Sequence, residues 1–344
     1  DDRPGIASAY FQLGWIYEDW GQYEEAIAYY QKSQELYQQL GEEKDVASQW
    51  YNLAGCYRQW GKYEQAIDAT QQCLALRQQL DDRPGIASAY FQLGRIYQDW
   101  GKYAEAMIHY QQSREIYQQL GKEKDVADSW YWIADGYRQW GKYQQALDAT
   151  QQCLALRQQL DDRPNIAFAY YQLGQIYKDW EKYEEALNAQ QLCLALRHQL
   201  DDRPKIASAY LQLGLIYQAW GKYEEAIAHY KQSQEIYQQL DKKKDVANQW
   251  HFIGNCYKDW CKYEQAIECQ QQCLNLRQLE EDRSRVALSL YQLGLIYQAW
   301  GKYEVAIAHY QQSRELYQQL GKEKDVAHQL LWLASSYRAC YQYE

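Results

Sequence analysis

The side chains with the greatest capacity for chemistry in this 344-residue sequence are nine cysteines and six histidines. Four of the cysteines lie in one short stretch, with His251 just before them: Cys256, Cys261, Cys269 and Cys273. Thiolates and imidazoles are ligands that zinc prefers, and two close thiols can form a redox pair. No C-x-x-C pair or other spacing typical of a structural zinc site occurs, however. The sequence therefore predicts no metal site, and unpaired cysteines of this kind favour a reducing, cytoplasmic compartment.

Other residues that could perform catalysis are arranged without a recognisable site. The sequence contains no glycine-rich phosphate loop, no H-E-x-x-H zinc motif and no G-x-S-x-G nucleophile turn. Carboxylates such as Asp19, Asp99 and Asp179 recur every 80 residues along the sequence. Such regular recurrence is typical of a solvated helix face rather than of an acid–base pair. We expect that the protein is not an enzyme and that it uses no cofactor.

Composition and charge narrow the class of protein and of partner. Only four Pro and four Phe occur, against 36 Tyr and 14 Trp. Proline is too rare for a loop-rich β protein, and so many aromatic rings are untypical of a disordered chain. The net charge of −10 disfavours nucleic acid, whose phosphates require basic side chains, and no apolar run is long enough to cross a bilayer. We therefore expect neither a nucleic-acid partner nor a membrane partner.

The sequence repeats itself every 40 residues, without an insertion or a deletion. The segment DDRPGIASAYFQLG begins at Asp1 and recurs at Asp81, which is two intervals later. Self-similarity at such a period is the signature of a solenoid, in which each unit buries its apolar face against the next. We predict a single domain over residues 1–344, built from the units 1–40, 41–80, 81–120, 121–160, 161–200, 201–240, 241–280, 281–320 and a partial 321–344.

Each unit has the apolar spacing of a helical hairpin. In the first unit, apolar residues from Ile6 to Trp20 follow one another at intervals of three and four, which places them on one face of a helix. Asp2 is a predicted N-cap, and Gly21 has the position of a residue that ends a helix. We predict a first helix of about 16 residues, a tight turn at Trp-Gly-Lys-Tyr and a second helix of about 18 residues.

The repeated pattern resembles the tetratricopeptide repeat. In the first unit the matching residues are Tyr10, Leu13, Gly14, Tyr17, Gly21, Tyr23, Ala26, Tyr30 and Ser33. Units longer than the usual length of about 34 residues resemble the long-helix variety in kinesin light chain and Pins-type adaptors. Nearly identical units resemble the repeat arrays of bacterial signalling proteins. The resemblance implies an all-α, right-handed superhelical solenoid whose first helices line a concave, ligand-binding wall.

Two regular columns are interpreted as packing. The tryptophans from Trp20 to Trp300 recur at each hairpin turn, so we expect them to pack between repeats. Cys73 and its equivalents stand where other units have Ser33 or Ser113, a column that the resemblance assigns to a small buried residue.

Differences between the units are concentrated in the first helices. Units 2 and 4 differ at two of the 24 positions from Tyr57 to Leu80, but at six of the nine positions that begin at Ser48. The position after the Leu-Gly pair varies most, and we expect it to be exposed because it faces away from the packed Leu and Tyr side chains. It reads Trp15, Gly55, Arg95, Asp135, Gln175, Leu215, Asn255, Leu295 and Ser335.

A protein or peptide that lies along the first helices is therefore the predicted ligand. The candidate peptide-binding residues are Trp15, Asn52, Arg58, Arg95, Trp132, Asp135, Arg138, Gln175, Lys178, His251 and Asn255. The basic members Arg58, Arg138 and Lys178 favour an acidic stretch in that ligand. The alternative is that exposed positions vary freely without any ligand.

Asparagines are the point at which the sequence departs from the long-helix relatives. The resemblance implies that Asn residues near the Leu-Gly pair hold the backbone of a bound peptide, but only Asn52 and Asn255 match them here. Glutamine occupies the Asn52 column in other units, including Gln92 and Gln172, and offers the same donor and acceptor on a longer arm.

Three hypotheses of function remain open. The first is a non-enzymatic scaffold that binds a protein or peptide in the groove. The second is the sensor segment of a larger signalling NTPase or protease, because both ends of the sequence fall inside the repeat pattern. The third is a structural spacer or self-assembling rod. We expect a monomer, because the partial ninth unit supplies only a first helix and head-to-tail stacking would be out of phase.

Overall fold

The computed structural model describes residues 2–341, and all of the regular structure in that range is helical. The α-helices follow one another at regular intervals along the chain, and they differ in length by no more than two residues. They are α1 (Arg3–Asp19), α2 (Tyr23–Leu40), α3 (Glu43–Gln59), α4 (Tyr63–Gln79), α5 (Arg83–Asp99), α6 (Tyr103–Gln119), α7 (Glu123–Gln139), α8 (Tyr143–Gln159), α9 (Arg163–Asp179), α10 (Tyr183–Gln199), α11 (Arg203–Ala219), α12 (Tyr223–Gln239), α13 (Lys243–Asp259), α14 (Tyr263–Leu279), α15 (Arg283–Ala299), α16 (Tyr303–Gln319) and α17 (Glu323–Tyr341).

One kind of turn connects the helices throughout. At the end of α1, the Gly21 N–H donates to the Glu18 carbonyl at 2.9 Å and the Gln22 N–H donates to the Tyr17 carbonyl at 2.9 Å. Gly21 has a φ of 73°, so the turn is a Schellman motif that leaves only three residues between two helices. The second helix therefore begins at Tyr23 itself. In most units the first helix is one residue longer than predicted and the second helix is one residue shorter, so the predicted lengths are wrong to that extent.

The connection between one unit and the next has the same geometry. The Asp81 N–H donates to the Gln78 carbonyl at 3.2 Å and the Asp82 N–H donates to the Arg77 carbonyl at 2.9 Å. Asp82 also caps α5, because its side chain accepts from the Gly85 N–H at 3.1 Å, as the Asp2 side chain does for α1. The backbone geometry thus repeats with every helix and its turn. Two such repeats make up one unit of the sequence.

Small residues allow the two helices of each hairpin to approach closely. Ala7 and Ala26 are fully buried, and their equivalents in the other complete units are alanines that are buried as well. Ser33 is buried and donates from its hydroxyl to the Ala7 carbonyl at 2.8 Å, while Cys73 fills the same place without solvent exposure. The predicted all-α fold of stacked helical hairpins and the predicted role of this cysteine column are confirmed.

From Trp60 onwards the tryptophan column packs between repeats, as predicted, whereas Trp20 is 67% exposed and its ring contacts Tyr17 of its own unit. Trp60 stacks on Tyr23 of the preceding unit with ring centroids 6.1 Å apart, and the Lys62 ammonium lies 3.2 Å from the centre of the Trp60 ring. The same arrangement recurs at Trp100 and Trp220, among others. A tyrosine stack and a cation–π contact therefore explain why Trp, Lys and Tyr recur together at the turn.

Two kinds of core occur along the chain. In units 1, 3, 6 and 8 the second helix carries a buried tyrosine, of which Tyr110 is an example; its hydroxyl donates to Gln98 Oε1 at 2.7 Å. The neighbouring Gly94 leaves room for that ring. Unit 2 has Thr70, Ala54 and Arg58 at the corresponding three positions. A buried phenol therefore occurs with a glycine and with a hydrogen-bond acceptor on the first helix.

The chain divides into two compact halves, Asp1–Gln172 and Leu173–Glu344. Within each of them, consecutive helices along the chain pack against each other. None of the helices among the described residues has the length and apolar character that a membrane span requires.

Candidate functional site

The variable column of the first helices is half-buried, not exposed as its pattern predicted. Trp15 has 63% of its surface exposed, but Arg95, Asp135 and Gln175 are each partly covered. Side chains of this column contact the first helix of a neighbouring unit. Gln175, for example, donates from Nε2 to Gln212 Oε1. Packing between successive first helices therefore accounts for part of what this column does.

Arg95 of α5 and Trp132 of α7 form another of these contacts between neighbouring first helices. The Arg95 guanidinium carbon lies 3.7 Å from the centre of the Trp132 ring, which is a stacked cation–π arrangement. Burial lowers the pKa of Arg95 from its ordinary value, and the nearby Arg58 guanidinium lowers it further. Arginine remains protonated at neutral pH, so the pair presents a fixed positive charge on an aromatic surface.

Asp135 lies at the centre of a hydrogen-bond network. It accepts from Gln98 Nε2 at 2.8 Å, from Arg138 Nη2 at 2.8 Å and from Gln139 Nε2 at 2.8 Å. Arg138 Nε adds a further contact at 3.2 Å, so both carboxylate oxygens are engaged. The carboxylate has little capacity left for a ligand, and its effect is to hold Arg138 in one orientation.

Arg58 is held in the same region by an ion pair with Asp99 of the next unit. Asp99 follows Gln98, which links the buried Tyr110 hydroxyl to Asp135. The structure thus brings together five of the predicted residues on α3, α5 and α7, which we name the α3–α7 surface: Arg58, Arg95, Trp132, Asp135 and Arg138.

The remaining predicted residues of the first compact half are Trp15 and Asn52. Trp15 lies exposed on α1, while the Asn52 side-chain amide donates to the Ser48 carbonyl of its own helix at 2.8 Å. The glutamines in the Asn52 column serve the fold instead. Gln92 is buried and donates to the Tyr51 carbonyl at 2.7 Å, and Gln172 donates in the same way to the Tyr131 carbonyl at 2.8 Å.

The second compact half places its four predicted residues as two pairs. The Lys178 ammonium donates to Gln175 Oε1 at 3.2 Å on α9. On α13, Asn255 Nδ2 lies 3.1 Å from His251 Nε2. Burial and, second, the Arg277 guanidinium lower the pKa of His251 to about 4, so this imidazole is neutral at neutral pH.

Sequence reasoning missed a pocket beside each of two first helices. A pocket of about 260 Å³ is lined by Asp128, Trp132, Arg157 and neighbouring residues of α7, α8 and α9. A larger pocket of about 450 Å³ includes the equivalent place at α13, α14 and α15, where Asn248, Arg277 and Arg285 line it, and extends to α11 and α12. His251 also lines this pocket. The signal in the sequence was the recurring Cys-Leu-x-Leu-Arg segment, whose arginine borders both pockets.

The buried cysteines of the seventh unit are protonated thiols of low reactivity. Cys256, Cys269 and Cys273 are buried and Cys261 is exposed, and all four are free thiols. Burial raises the pKa of Cys256 to about 12 and that of Cys269 to about 11, so both stay protonated at neutral pH. Among the described residues, no group of three or more His, Cys, Asp or Glu side chains is placed to hold a metal ion.

Several solved structures share this fold. BtubC (BKLC) from P. vanneervenii is 23% identical, with a TM-score of 0.56 over 64% of this chain and 92% of that one. A Rap protein complexed with competence and sporulation factor is 14% identical, with a TM-score of 0.53 over 98% of this chain and 99% of that one. A signal transduction ATPase with numerous domains (STAND) from Pyrococcus horikoshii, which has a tetratricopeptide repeat sensor, is 15% identical, with a TM-score of 0.55 over 93% of this chain and 53% of that one.

Sequence comparison identifies the family. No curated protein matches the chain. Tetratricopeptide repeat profiles match residues 7–40, 45–119, 125–199, 181–239 and 245–319, which together make up most of its length. The chain belongs to the tetratricopeptide repeat family.

Proposed function

We propose that this protein is a non-enzymatic scaffold that binds a protein or peptide partner on its first helices, with the α3–α7 surface as the principal contact. Repeats of this family commonly mediate interactions between proteins. The observation that carries the proposal is the fixed arrangement of Arg95 over Trp132 at 3.7 Å, beside Arg138 held by Asp135. Arginine and tryptophan dominate binding energies at protein interfaces, and side chains fixed before binding lose little entropy on association.

The residues of this surface have different parts in the proposal. Arg58, Arg95 and Arg138 supply donors and positive charge, Trp132 supplies apolar area, and Asp135 keeps Arg138 in place. Arg58 pairs with Asp99 and Arg138 pairs with Asp135, and Arg95 adds a third guanidinium group to the same surface. We therefore propose that the partner presents an acidic or amide-rich stretch, despite the overall charge of −10.

The test uses the whole chain and an array of immobilised random peptides. Peptides that bind the wild type are then measured in solution against Trp132→Ala and Arg138→Ala. Each substitution should weaken binding by about 2 kcal/mol or more, because truncation of an interface anchor removes buried area or a charge-assisted bond. Circular dichroism confirms that each variant remains folded.

Matched controls come from the second helices. Gln71 and Gln151 are exposed on α4 and α8, so their replacement by Ala should leave affinity unchanged. If these controls weakened binding more than the substitutions on the α3–α7 surface did, the binding face would lie on the second helices. If no peptide bound, the scaffold proposal would fail for peptides, and the spacer hypothesis would gain support.

A sensor within a larger signalling protein is the alternative that the likeness to the STAND protein favours. That structure contains a tetratricopeptide repeat sensor, and this chain matches 53% of its length. The same surface would then read a ligand on behalf of an attached effector. Expression with its native flanking sequence, followed by an assay of nucleotide hydrolysis with and without array-selected peptides, separates the sensor from a free scaffold.

Three further expectations belong to this proposal. We propose a cytoplasmic location, which suits nine free thiols, and we propose that nucleic acid and membranes are not partners. We also propose that the chain is a monomer. Light scattering tests the monomer, because a mass that grows with concentration would favour a self-assembling rod.

A further inference from the structure

The arginine of the Cys-Leu-x-Leu-Arg segment recurs in several second helices, and the number of carboxylates that contact it differs from unit to unit. Arg157 is buried and has two carboxylate partners: Asp162, at 2.8 Å from Nη1, and Asp128. Arg197 is buried with Asp202 at 3.8 Å. Arg277 is only 4% exposed, yet among the described residues no carboxylate lies within 4 Å of its guanidinium. A buried charge without a counter-charge is costly to maintain.

Neutral groups alone receive the Arg277 hydrogen bonds. Its Nη1 donates to the Ser289 hydroxyl at 2.8 Å and to the Arg285 carbonyl at 3.2 Å, while Nη2 lies 3.3 Å from Asn248 Oδ1. Its Nε is buried and has no acceptor among the described residues. The Arg285 guanidinium reaches the same Asn248 oxygen at 3.5 Å, so one amide oxygen lies between two cations.

The surroundings of Arg277 differ from those of Arg157 at two positions, one in the seventh unit and one in the eighth, and each difference raises the local charge by one. Asn248 stands where the fourth unit has Asp128, and Arg285 stands where the unit after the fourth has Asn165. Two carboxylates remain nearby: Asp282 pairs with Arg285 Nε at 3.4 Å, and Asp245 lines the pocket. Asp282 stands at the position of Asp162, and neither Asp282 nor Asp245 takes the place of Asp128.

The two pockets differ in volume as well as in charge. The pocket at Arg277 has a volume of about 450 Å³, against about 260 Å³ for the equivalent pocket at Arg157. Leu211, Phe252 and Leu288 form its apolar lining. A polar end with two guanidinium groups and an apolar wall suit a carboxylate on a short aliphatic stem.

We propose that the pocket between α13, α14 and α15 is a carboxylate-binding site, in which an external carboxylate lies beside Asn248 and against Arg277 and Arg285. It supplies the negative charge that Asp128 supplies in the fourth unit. The ligand is either a small molecule with such a carboxylate or an Asp or Glu side chain of a bound polypeptide. This site is independent of the proposed α3–α7 surface.

The first test titrates N-acetylglutamate into the whole protein with isotope-labelled arginine and follows the guanidinium Nε–H signals by NMR. The Arg277 signal should shift with N-acetylglutamate and not with the uncharged N-acetylglutamine amide, whose two carboxyl groups are both replaced by amides. Asn248→Asp places a carboxylate in the site, so it should weaken N-acetylglutamate binding about tenfold or more, the worth of one charge-assisted bond. Asn188→Asp, which adds the same charge at an exposed position of α10, should leave the affinity unchanged.

Two further measurements complete the test. One distinguishes a small molecule from a polypeptide as the ligand, and the other provides a second variant. The peptide acetyl-Ala-Ala-Glu-Ala-Ala-amide is compared with N-acetylglutamate: tighter peptide binding assigns the site to a polypeptide, and equal or weaker binding assigns it to a small molecule. If Asn248→Asp does not fold, Arg285→Gln, at a side chain that is 43% exposed, takes its place and should also weaken binding. The absence of any Arg277 shift with either carboxylate would overturn the proposal. Peptide binding at the α3–α7 surface could still be found in that case.

Discussion

The ring of Tyr110 lies directly against the backbone of Gly94: a Cβ atom on this glycine would come within 2.5 Å of Tyr110 Cδ1. The Tyr110 ring is completely buried, so it has no space into which it could move. The same close approach recurs between Gly14 and Tyr30, at 2.7 Å. In the units that have this buried tyrosine, the glycine is therefore required by the tyrosine of the second helix and not by the geometry of its own helix.

Gly94→Ala should destabilise the protein by about 1–3 kcal/mol, because an added methyl group in a filled core forces strain. Alanine is otherwise the better helix former by about 1 kcal/mol. Gly55→Ala supplies the control, since a Cβ there meets only Gln92 Nε2 at 3.7 Å, and it should stabilise by about 0.5–1 kcal/mol. Urea denaturation measures both changes. Equal effects of the two substitutions would contradict the packing role.

The helices and their turns could be predicted from the sequence because each depends on nearby residues. Gly21 and Asp2 act on the helix ends that they adjoin, and the alanine columns follow the helical period. Partners between repeats were not predictable in this way. Arg95 meets Trp132, and Gln98 meets Asp135, because of how the first helices of successive units stack.

The candidate site was only partly predictable for the same reason. Variation at Arg95 and Asp135 drew attention to this surface, but it could not show that these side chains are half-buried against the next helix. Arg157 and Arg277 stand in one column with similar neighbours in sequence. Their different surroundings come from the first helices on both sides of them: Asp128 of α7 is replaced by Asn248 of α13, and α9 is replaced by α15. Contacts of this kind need the packing of the units, which a column of residue types does not specify.

Arg95→Ala should cost about 1–2 kcal/mol of stability, more than the roughly 0.5 kcal/mol that is typical of an exposed helical position. The reason is the partly buried contact with Trp132, with 3.7 Å between the guanidinium carbon and the ring centre. A double-mutant cycle with Trp132→Leu should give a coupling energy of about 0.5–2 kcal/mol. Arg163→Ala, at a side chain that is 60% exposed, should change stability by less than about 0.5 kcal/mol. A coupling energy near zero would show that the stacked pair makes no contribution.

Glu181→Gly should stabilise the protein by about 1 kcal/mol, because Glu181 has a φ of 61° at a position where most hairpins have glycine. The left-handed conformation strains any residue that has a Cβ, and glycine adopts it freely. Gly221→Ala is the reverse change in the next unit, at a φ of 76°, and should destabilise by a similar amount. Thermal denaturation of the two variants tests the pair. If both shifted in the same direction, backbone strain would not be the cause.

Glu18→Gln should stabilise the protein at pH 7 by less than about 1 kcal/mol, since the side chain is partly exposed to water. Burial raises the pKa of Glu18, although the hydrogen bond from the Tyr30 hydroxyl at 2.6 Å opposes this shift. A raised pKa favours the protonated form in the folded state, so stability falls as pH rises through that pKa. Glutamine mimics the protonated form, as Gln98 does beside Tyr110. The gain should vanish below the ordinary glutamate pKa of 4.5, and a gain that is independent of pH would contradict this explanation.

His251→Phe should flatten the dependence of stability on pH between about 6.5 and 4. Burial and the Arg277 guanidinium lower the pKa of His251 to about 4. A histidine whose pKa is lower in the folded state contributes stability above its ordinary pKa of 6.5, and that contribution is lost as pH falls towards 4. The loss is at most about 3 kcal/mol, the free energy of a shift of this size. Phenylalanine stands at the same position in the third unit, as Phe91, so the ring should fit. Denaturation of both proteins at pH 7, 6, 5 and 4 gives the two slopes, and equal slopes would place the proton uptake at other groups.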